Sequence, residues 1–252
     1  VVDLERENQA IGIEYELEGV DLDHPDYADL DRAMMLRLDH EIAPGGYSWV
    51  FATGPDTAKV GVCYIQNDRH QETAEAGQTI DGYLEGWLDR DPRFADAERL
   101  EGKVHRGSAH IQRPGAMHTD GFLAIGDTVP TIDPLWGEGI HKGMKSARAA
   151  AKTIDRCFTH ADRPRDADHL ELYDQLWHEE VAPRMNARLL LTELLYLAPN
   201  ERYDTLMRDL RETSDDLLAR ANRGEKRAMA KLLHLDDLPL LAKYARQRFA
   251  SA

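Results

Sequence analysis

Only two cysteines, Cys63 and Cys157, occur in the 252 residues. They are far apart and in no Cys-x-x-Cys pattern, so both read as buried, reduced thiols rather than a disulfide framework. Two thiols also cannot supply the four ligands of an iron–sulfur cluster. His105, His110, His118 and His141 show no metal-ligand spacing, and no His-Glu-x-x-His occurs, so no metal centre is expected. No apolar run approaches the roughly 20 residues of a bilayer span. No charged-then-apolar leader precedes a small-residue cleavage site, and a cytoplasmic location is expected. Positive charge is scarce: 31 Lys and Arg face 46 Asp and Glu, for a net charge of −15. Without a basic stripe to neutralise phosphates, nucleic acid is excluded as a partner. The Gly-x-Gly-x-x-Gly turn of a dinucleotide-binding domain is absent. The nearest pattern, Gly137 to Gly143, has one residue too many and does not directly follow a strand.

Hydrophobic residues make up 42% of the chain, which suits one or two globular domains with a sizeable core. An acidic, lysine-poor composition resembles that of proteins from salt-loving archaea, which work in concentrated, screening salt. An ordinary acidic protein is the plainer alternative.

Period-two alternation predicts a strand over Ala10 to Val20, with Ile11, Ile13, Tyr15 and Leu17 on one face. An acidic loop, Asp21 to Asp31, follows. Further strands are expected at Met34 to Asp39, Tyr47 to Phe51, Lys59 to Gln66 and Val104 to Gln112. Turn chemistry at Pro44-Gly45-Gly46 and Thr53 to Asp56 separates them and implies an antiparallel sheet. Helical spacing runs from Thr73 to Arg90, where Ile80, Tyr83, Leu84, Trp87 and Leu88 share a face. From His169 onward the chain reads as helices: Leu170 to Val181, Arg184 to Leu197, Tyr203 to Ala221, Glu225 to His234 and Leu238 to Phe249. Their apolar clusters read as a packed helical core, with a substrate lid or a membrane-touching surface as the functional alternative. His178-Glu179-Glu180 reads as a solvated face.

The chemistry concentrates around Gly121 to Ile140. Phe122 to Ile125 reads as a short buried strand ending in Gly126-Asp127. A loop with two prolines leads to Gly137-Glu138-Gly139-Ile140 and a helix from His141 to Arg156. Asp127 is an acceptor suited to sugar or ribityl hydroxyls. Gly137 and Gly139 permit close backbone approach, and the amides at the helix start favour an anion or carbonyl oxygen. A lone Gly-Asp is otherwise most often a turn or a cap. Tyr47, Trp49 and Phe51 alternate on one strand face. By their residue types alone they read as a face packed on the core.

The Gly126-Asp127, Pro134 and Gly137-x-Gly139 pattern resembles the second flavin-binding motif of FAD-dependent reductases and hydroxylases. Gly45-Gly46-Tyr47-Ser48-Trp49-Val50-Phe51, with Val60-Gly61-Val62, is similar to a segment of the geranylgeranyl reductases. Ala52 stands where that family usually has Pro. The resemblance implies FAD as cofactor, held through Gly126, Asp127, Gly137, Gly139 and Ile140. It implies that Tyr47, Trp49 and Phe51 line a pocket for an isoprenoid lipid, which is reduced at its carbon–carbon double bonds. The implied fold is α+β with an α/β parent. Residues 1–112 would form an antiparallel substrate sheet with one helix, 113–160 part of an FAD-binding domain, and 161–252 a helical region. Peripheral membrane contact and a separate N-terminal half that completes the FAD site are further expectations. Alternatives are another flavoprotein, such as a monooxygenase, a halogenase or an electron-transfer flavoprotein dehydrogenase, or a fragment inactive without a partner. With the ADP-binding turn absent, this chain is expected to bind FAD weakly or not at all.

Overall fold

A computed structural model describes residues 6–25, 33–66, 77–112, 114–160, 165–183 and 185–234. It also describes residues 4, 70, 72, 74, 163, 237–239 and 242. The elements in chain order are a 3-10 turn (Arg6–Asn8), β1 (Gln9–Glu18), β2 (Met34–Arg37), β3 (Gly46–Ala52), β4 (Thr57–Ile65) and α1 (Ile80–Arg90). Then come a 3-10 turn (Pro92–Phe94), β5 (Glu98–His110), β6 (His118–Thr119), β7 (Phe122–Leu123), a 3-10 turn (Gly126–Thr128) and α2 (Ile140–His160). The helices α3 (Ala167–Leu170), α4 (Leu172–Leu176), a π-helical turn (Trp177–Val181), α5 (Met185–Tyr196), α6 (Asn200–Glu212), α7 (Asp215–Asn222) and α8 (Lys226–Leu232) follow. The fold is α+β.

Two compact units divide the chain. One holds residues 9–108 and 199–204; the other holds 1–8, 109–198 and 205–252. In the sheet unit the strand order is β2-β3-β4-β1-β5. β1 pairs antiparallel with β4, and β3 pairs antiparallel with both β4 and β2. The alternation in β1 places Ile13, Tyr15 and Leu17 in the core with Val50, Val60 and Val62, against Tyr83, Leu84 and Trp87 of α1. Beside this core Asp91 and Arg93 pair while buried. Asp91 accepts from Arg93 Nε (2.9 Å), Arg93 Nη2 (2.6 Å) and the Trp87 indole (3.1 Å).

The differences from the sequence reading have local causes. β5 starts at Glu98 rather than Val104, because most of its side chains are exposed and no period-two signal marks it. α1 starts at Ile80, where the Thr79 hydroxyl accepts from Gly82 N (3.2 Å), rather than at Thr73. The expected helix from Tyr203 to Ala221 is two helices, because Ser214 caps a new start by accepting from Leu217 N. Leu170 to Val181 is likewise split into short segments ending in the π-helical turn. Thr73, Arg113, residues 26–31 of the acidic loop and most of the helix expected at Leu238 to Phe249 lie outside the described residues. The unit holding α2 to α5 has its own core, in which Met117, Val129, Ala149, Tyr173, Trp177 and Val181 pack.

Burial pushes the Asp91 carboxyl up, but the hydrogen bonds and charge of Arg93 outweigh it and hold it below its ordinary value of 3.8. A depressed carboxylate stabilises the fold fully above that value and loses the contribution as pH falls through the folded-state value. Asp91→Asn should cost about 3–5 kcal/mol at neutral pH, because it strands a buried guanidinium. It should also flatten the loss of stability below about pH 4. Urea unfolding across pH checks both; an unchanged acid slope would remove Asp91 from the account.

Candidate functional site

Gly126 opens the site. Its φ of +59° lies in the left-handed region, so only glycine adopts it without strain. Its N–H donates to Ser146 Oγ of α2 (3.1 Å), and Ser146 Oγ shares a hydrogen bond with the Tyr173 hydroxyl (2.7 Å). Both partners are fully buried. Burial pushes the Tyr173 hydroxyl above its ordinary value, so it stays protonated in this relay. Asp127 is thereby fixed beside the start of α2. Its carboxylate is exposed and has no partner among the described residues. A Cβ added at Gly139 would sit 3.3 Å from both its oxygens, so a glycine at 139 lets the two approach.

Asp133 shapes the loop from Val129 to Gly139. Its backbone N–H donates to the Glu138 carbonyl (2.8 Å), and its own carbonyl accepts from Gly137 N (2.9 Å). Its carboxylate accepts from Leu135 N (3.0 Å), Trp136 N (3.4 Å), Lys142 Nζ (2.8 Å) and Arg188 Nη2. Burial pushes Asp133 up, yet the hydrogen bonds from Arg188 and Lys142 more than offset this and keep it ionised below the usual carboxylate range. The Tyr196 hydroxyl donates to the Leu135 carbonyl, and the Trp136 indole donates to Asn222 (3.1 Å). Gly137, at φ +71°, turns the chain into α2, whose first closed bond runs from Gly143 N to Gly139 O (2.8 Å). The amides of Ile140, His141 and Lys142 precede that bond and find no acceptor among the described residues. Ile140 itself is exposed.

Gly126, Asp127, Gly137, Gly139 and Ile140 thus belong to one unit, and the Asp127 carboxylate faces the side of Gly139 where a side chain would stand. The arrangement offers one free carboxylate and a row of free amides at a helix N-terminus, which suits a ligand with hydroxyls and a carbonyl or anionic edge. Phe122 to Ile125 departs from expectation: only Phe122–Leu123 forms strand, and Phe122 and Ile125 are exposed. The segment is therefore not a buried strand.

Tyr47, Trp49 and Phe51 belong to the other unit. All three are half-buried, while Ser48 and Val50 between them are buried. The stripe lies on the sheet face opposite α1, so it is not the core face that its residue types suggest. Its rings form a series, with centroids 5.8 Å apart from Tyr47 to Trp49 and 6.1 Å from Trp49 to Phe51. Trp49 lies over Gly61, its cross-strand partner, where any Cβ would overlap the indole. Its Nε1 donates to Glu14 (2.9 Å), which Lys59 also reaches (3.3 Å). Exposed Met34 and Leu36, opposite Phe51 and Trp49 on β2, extend the apolar surface. Cys63, opposite Tyr47, is partly exposed rather than buried. Although the residue is partly exposed, its sulfur is desolvated, which pushes the thiol up to about 12, so at neutral pH it is no nucleophile. Cys157 is buried as expected.

Sequence reasoning missed Asp133, Ser146, Tyr173 and Arg188 and gave Lys142 no role. The usable signals were an Asp-Pro step inside the motif loop and a serine on the inward face of α2. Among the described residues no cluster of three metal-ligating side chains occurs. No helix among them is long and apolar enough to cross a membrane.

Residues 9–102 match the family described as the geranylgeranyl reductase catalytic domain. A digeranylgeranylglycerophospholipid reductase of Haloferax volcanii is 61% identical over 249 residues, 99% of this chain and 61% of that protein. The chain belongs to the geranylgeranyl reductase family. A second family member, a digeranylgeranylglycerophospholipid reductase of Methanocaldococcus jannaschii, is 30% identical over 206 residues, 81% of this chain and 48% of that protein. The chain therefore spans less than two thirds of the length of these curated relatives. Among solved structures, a geranylgeranyl bacteriochlorophyll reductase-like protein of Thermoplasma acidophilum superposes with a TM-score of 0.71 at 21% identity, over 92% of this chain and 56% of that one. The flavin-dependent brominase Bmp2 gives a TM-score of 0.63 at 19% identity, over 98% and 58%. At such identities these show the fold the family shares with flavin-dependent enzymes. The acidic composition agrees with the Haloferax likeness.

Ser146→Ala should cost about 1–3 kcal/mol, because it leaves the Gly126 N–H without its acceptor. Tyr173→Phe should be strongly non-additive with it, with a coupling of roughly 0.5–3 kcal/mol in thermal or urea unfolding. Additive effects would show that the relay does not act as a unit.

Proposed function

We propose that this chain carries the flavin-ring and substrate-binding part of an FAD-dependent reductase that saturates isoprenoid double bonds in archaeal membrane-lipid precursors. One observation supports it most: in a geranylgeranyl reductase family member, Gly126-Asp127 and the start of α2 offer a free carboxylate and free amides side by side. These residues fit a flavin. Asp127 would accept hydrogen bonds from ribityl hydroxyls. The amides of Ile140 and His141 would donate to the carbonyl edge of the ring, where charge gathers on reduction. Gly137 and Gly139 would let the cofactor approach the backbone. When bound, reduced FAD supplies the hydride.

Tyr47, Trp49 and Phe51 would hold the isoprenoid chain. A stripe of flat rings off the core face, extended by Met34 and Leu36, suits a long apolar ligand that asks for few hydrogen bonds. The Glu14 hydrogen bond fixes the Trp49 ring plane. Digeranylgeranylglycerophospholipid, named for the relatives, is the substrate class we assign, with contact at a membrane periphery as the route by which such a lipid arrives. The division into residues 1–112, 113–160 and 161–252 remains our reading of how the roles are distributed.

With an ADP-binding half supplied in trans, Asp127→Ala should weaken FAD binding about ten- to hundred-fold, the worth of one charge-assisted hydrogen bond. Flavin fluorescence titration measures it, and unchanged affinity would take Asp127 out of the site. Trp49→Ala should lower the affinity for a geranylgeranyl glycerophospholipid about ten-fold, equivalent to about 1.4 kcal/mol. The chain's melting temperature should change little, because the ring is only half-buried. A collapsed melting temperature with unchanged lipid binding would make the stripe structural instead.

A further inference from the structure

The buried ion cluster behind the motif loop does more than close it. Asp133 and Lys142 are 3% and 6% exposed, and Arg188 reaches the same carboxylate from α5. One carboxylate faces two cations, so the cluster carries a surplus positive charge. Lys142 is the third residue of α2 and adjoins the unpartnered amides of Ile140 and His141. The other charges near the turn, Glu138 and Asp127, are exposed. Solvent and salt screen exposed charges, whereas a buried charge acts through a low dielectric and keeps its field. On the flavin reading above, which this inference needs, two-electron reduction puts negative charge on the ring edge held by those amides.

We propose that Asp133, Lys142 and Arg188 form a charge seat that makes the Gly137–Ile140 turn prefer the reduced, anionic flavin over the oxidised one. Asp133 would be a positioning residue, because its hydrogen bonds set the loop. Lys142 would supply the surplus charge. A purely structural cluster would affect both redox forms alike.

The test compares binding of oxidised FAD and of dithionite-reduced FAD to this chain under anaerobic conditions. Lys142→Met, which leaves the cluster neutral, should weaken the reduced form about ten-fold more than the oxidised form. That is a fall of about 30 mV in the bound two-electron potential. Lys142→Arg should restore the preference. Asp133→Asn, which adds a second surplus charge, should strengthen the preference for the reduced form even if its disturbed loop weakens both. It also serves if Lys142→Met does not fold. Equal losses for the two forms in Lys142→Met, or no gain in preference in Asp133→Asn, would overturn the charge seat while leaving the flavin site standing. Binding of the unaltered chain is expected to be weak, so both forms are titrated to millimolar concentration; no binding of either form there would overturn the flavin site and the charge seat together.

Discussion

A carboxylate in a protein interior is costly to desolvate, and it persists only where its lone pairs are filled. At Asp133 two backbone amides, an ammonium and a guanidinium fill them. The residue's backbone also ties the ends of the loop together through Gly137 and Glu138. The loop therefore has little freedom, and it delivers Gly137, Gly139 and the first amides of α2 in a set geometry. The same helix carries Ser146, which fixes Gly126 and so places Asp127. The acceptor and the donors of the candidate cofactor site hang from one helix, which removes the entropy cost of arranging them when a ligand arrives.

The sheet unit solves a different problem. A sheet needs one apolar face against a helix, and β1, β3 and β4 supply it with Ile13, Val50, Val60 and Val62 against α1. Because side chains alternate, building that face puts Tyr47, Trp49 and Phe51 on the other. Gly61 then matters for what it lacks: the space of its missing side chain is where the Trp49 indole lies. The aromatic stripe is thus a second apolar surface that the core does not require.

How much of this could be read from the chain follows from the range of the interactions. Period-two alternation in β1, β3 and β4 is local, and those strands were legible to within a residue or two. The helix after Gly139 was legible because glycine and helical spacing are local signals. β5 was only half legible, since an exposed strand has no face to mark it. The start of α7 carried its signal in Ser214-Asp215-Asp216, a cap that the surrounding helical pattern hid. The Gly-Asp and Gly-x-Gly residues were visible as a motif. Their supports were not, because Asp133 meets Arg188 and Gly126 meets Ser146 and Tyr173 only after folding.

If Gly126–Thr128 and Gly137–Gly143 together form the flavin-ring site, bound FAD shields the amides of both. Hydrogen–deuterium exchange of this chain, with and without excess FAD, reads each of those amides. FAD should slow exchange at both segments, most at Ile140 and His141, and leave α1 unchanged. Protection confined to other segments, or none at Ile140 and His141 when FAD is demonstrably bound, would contradict that site.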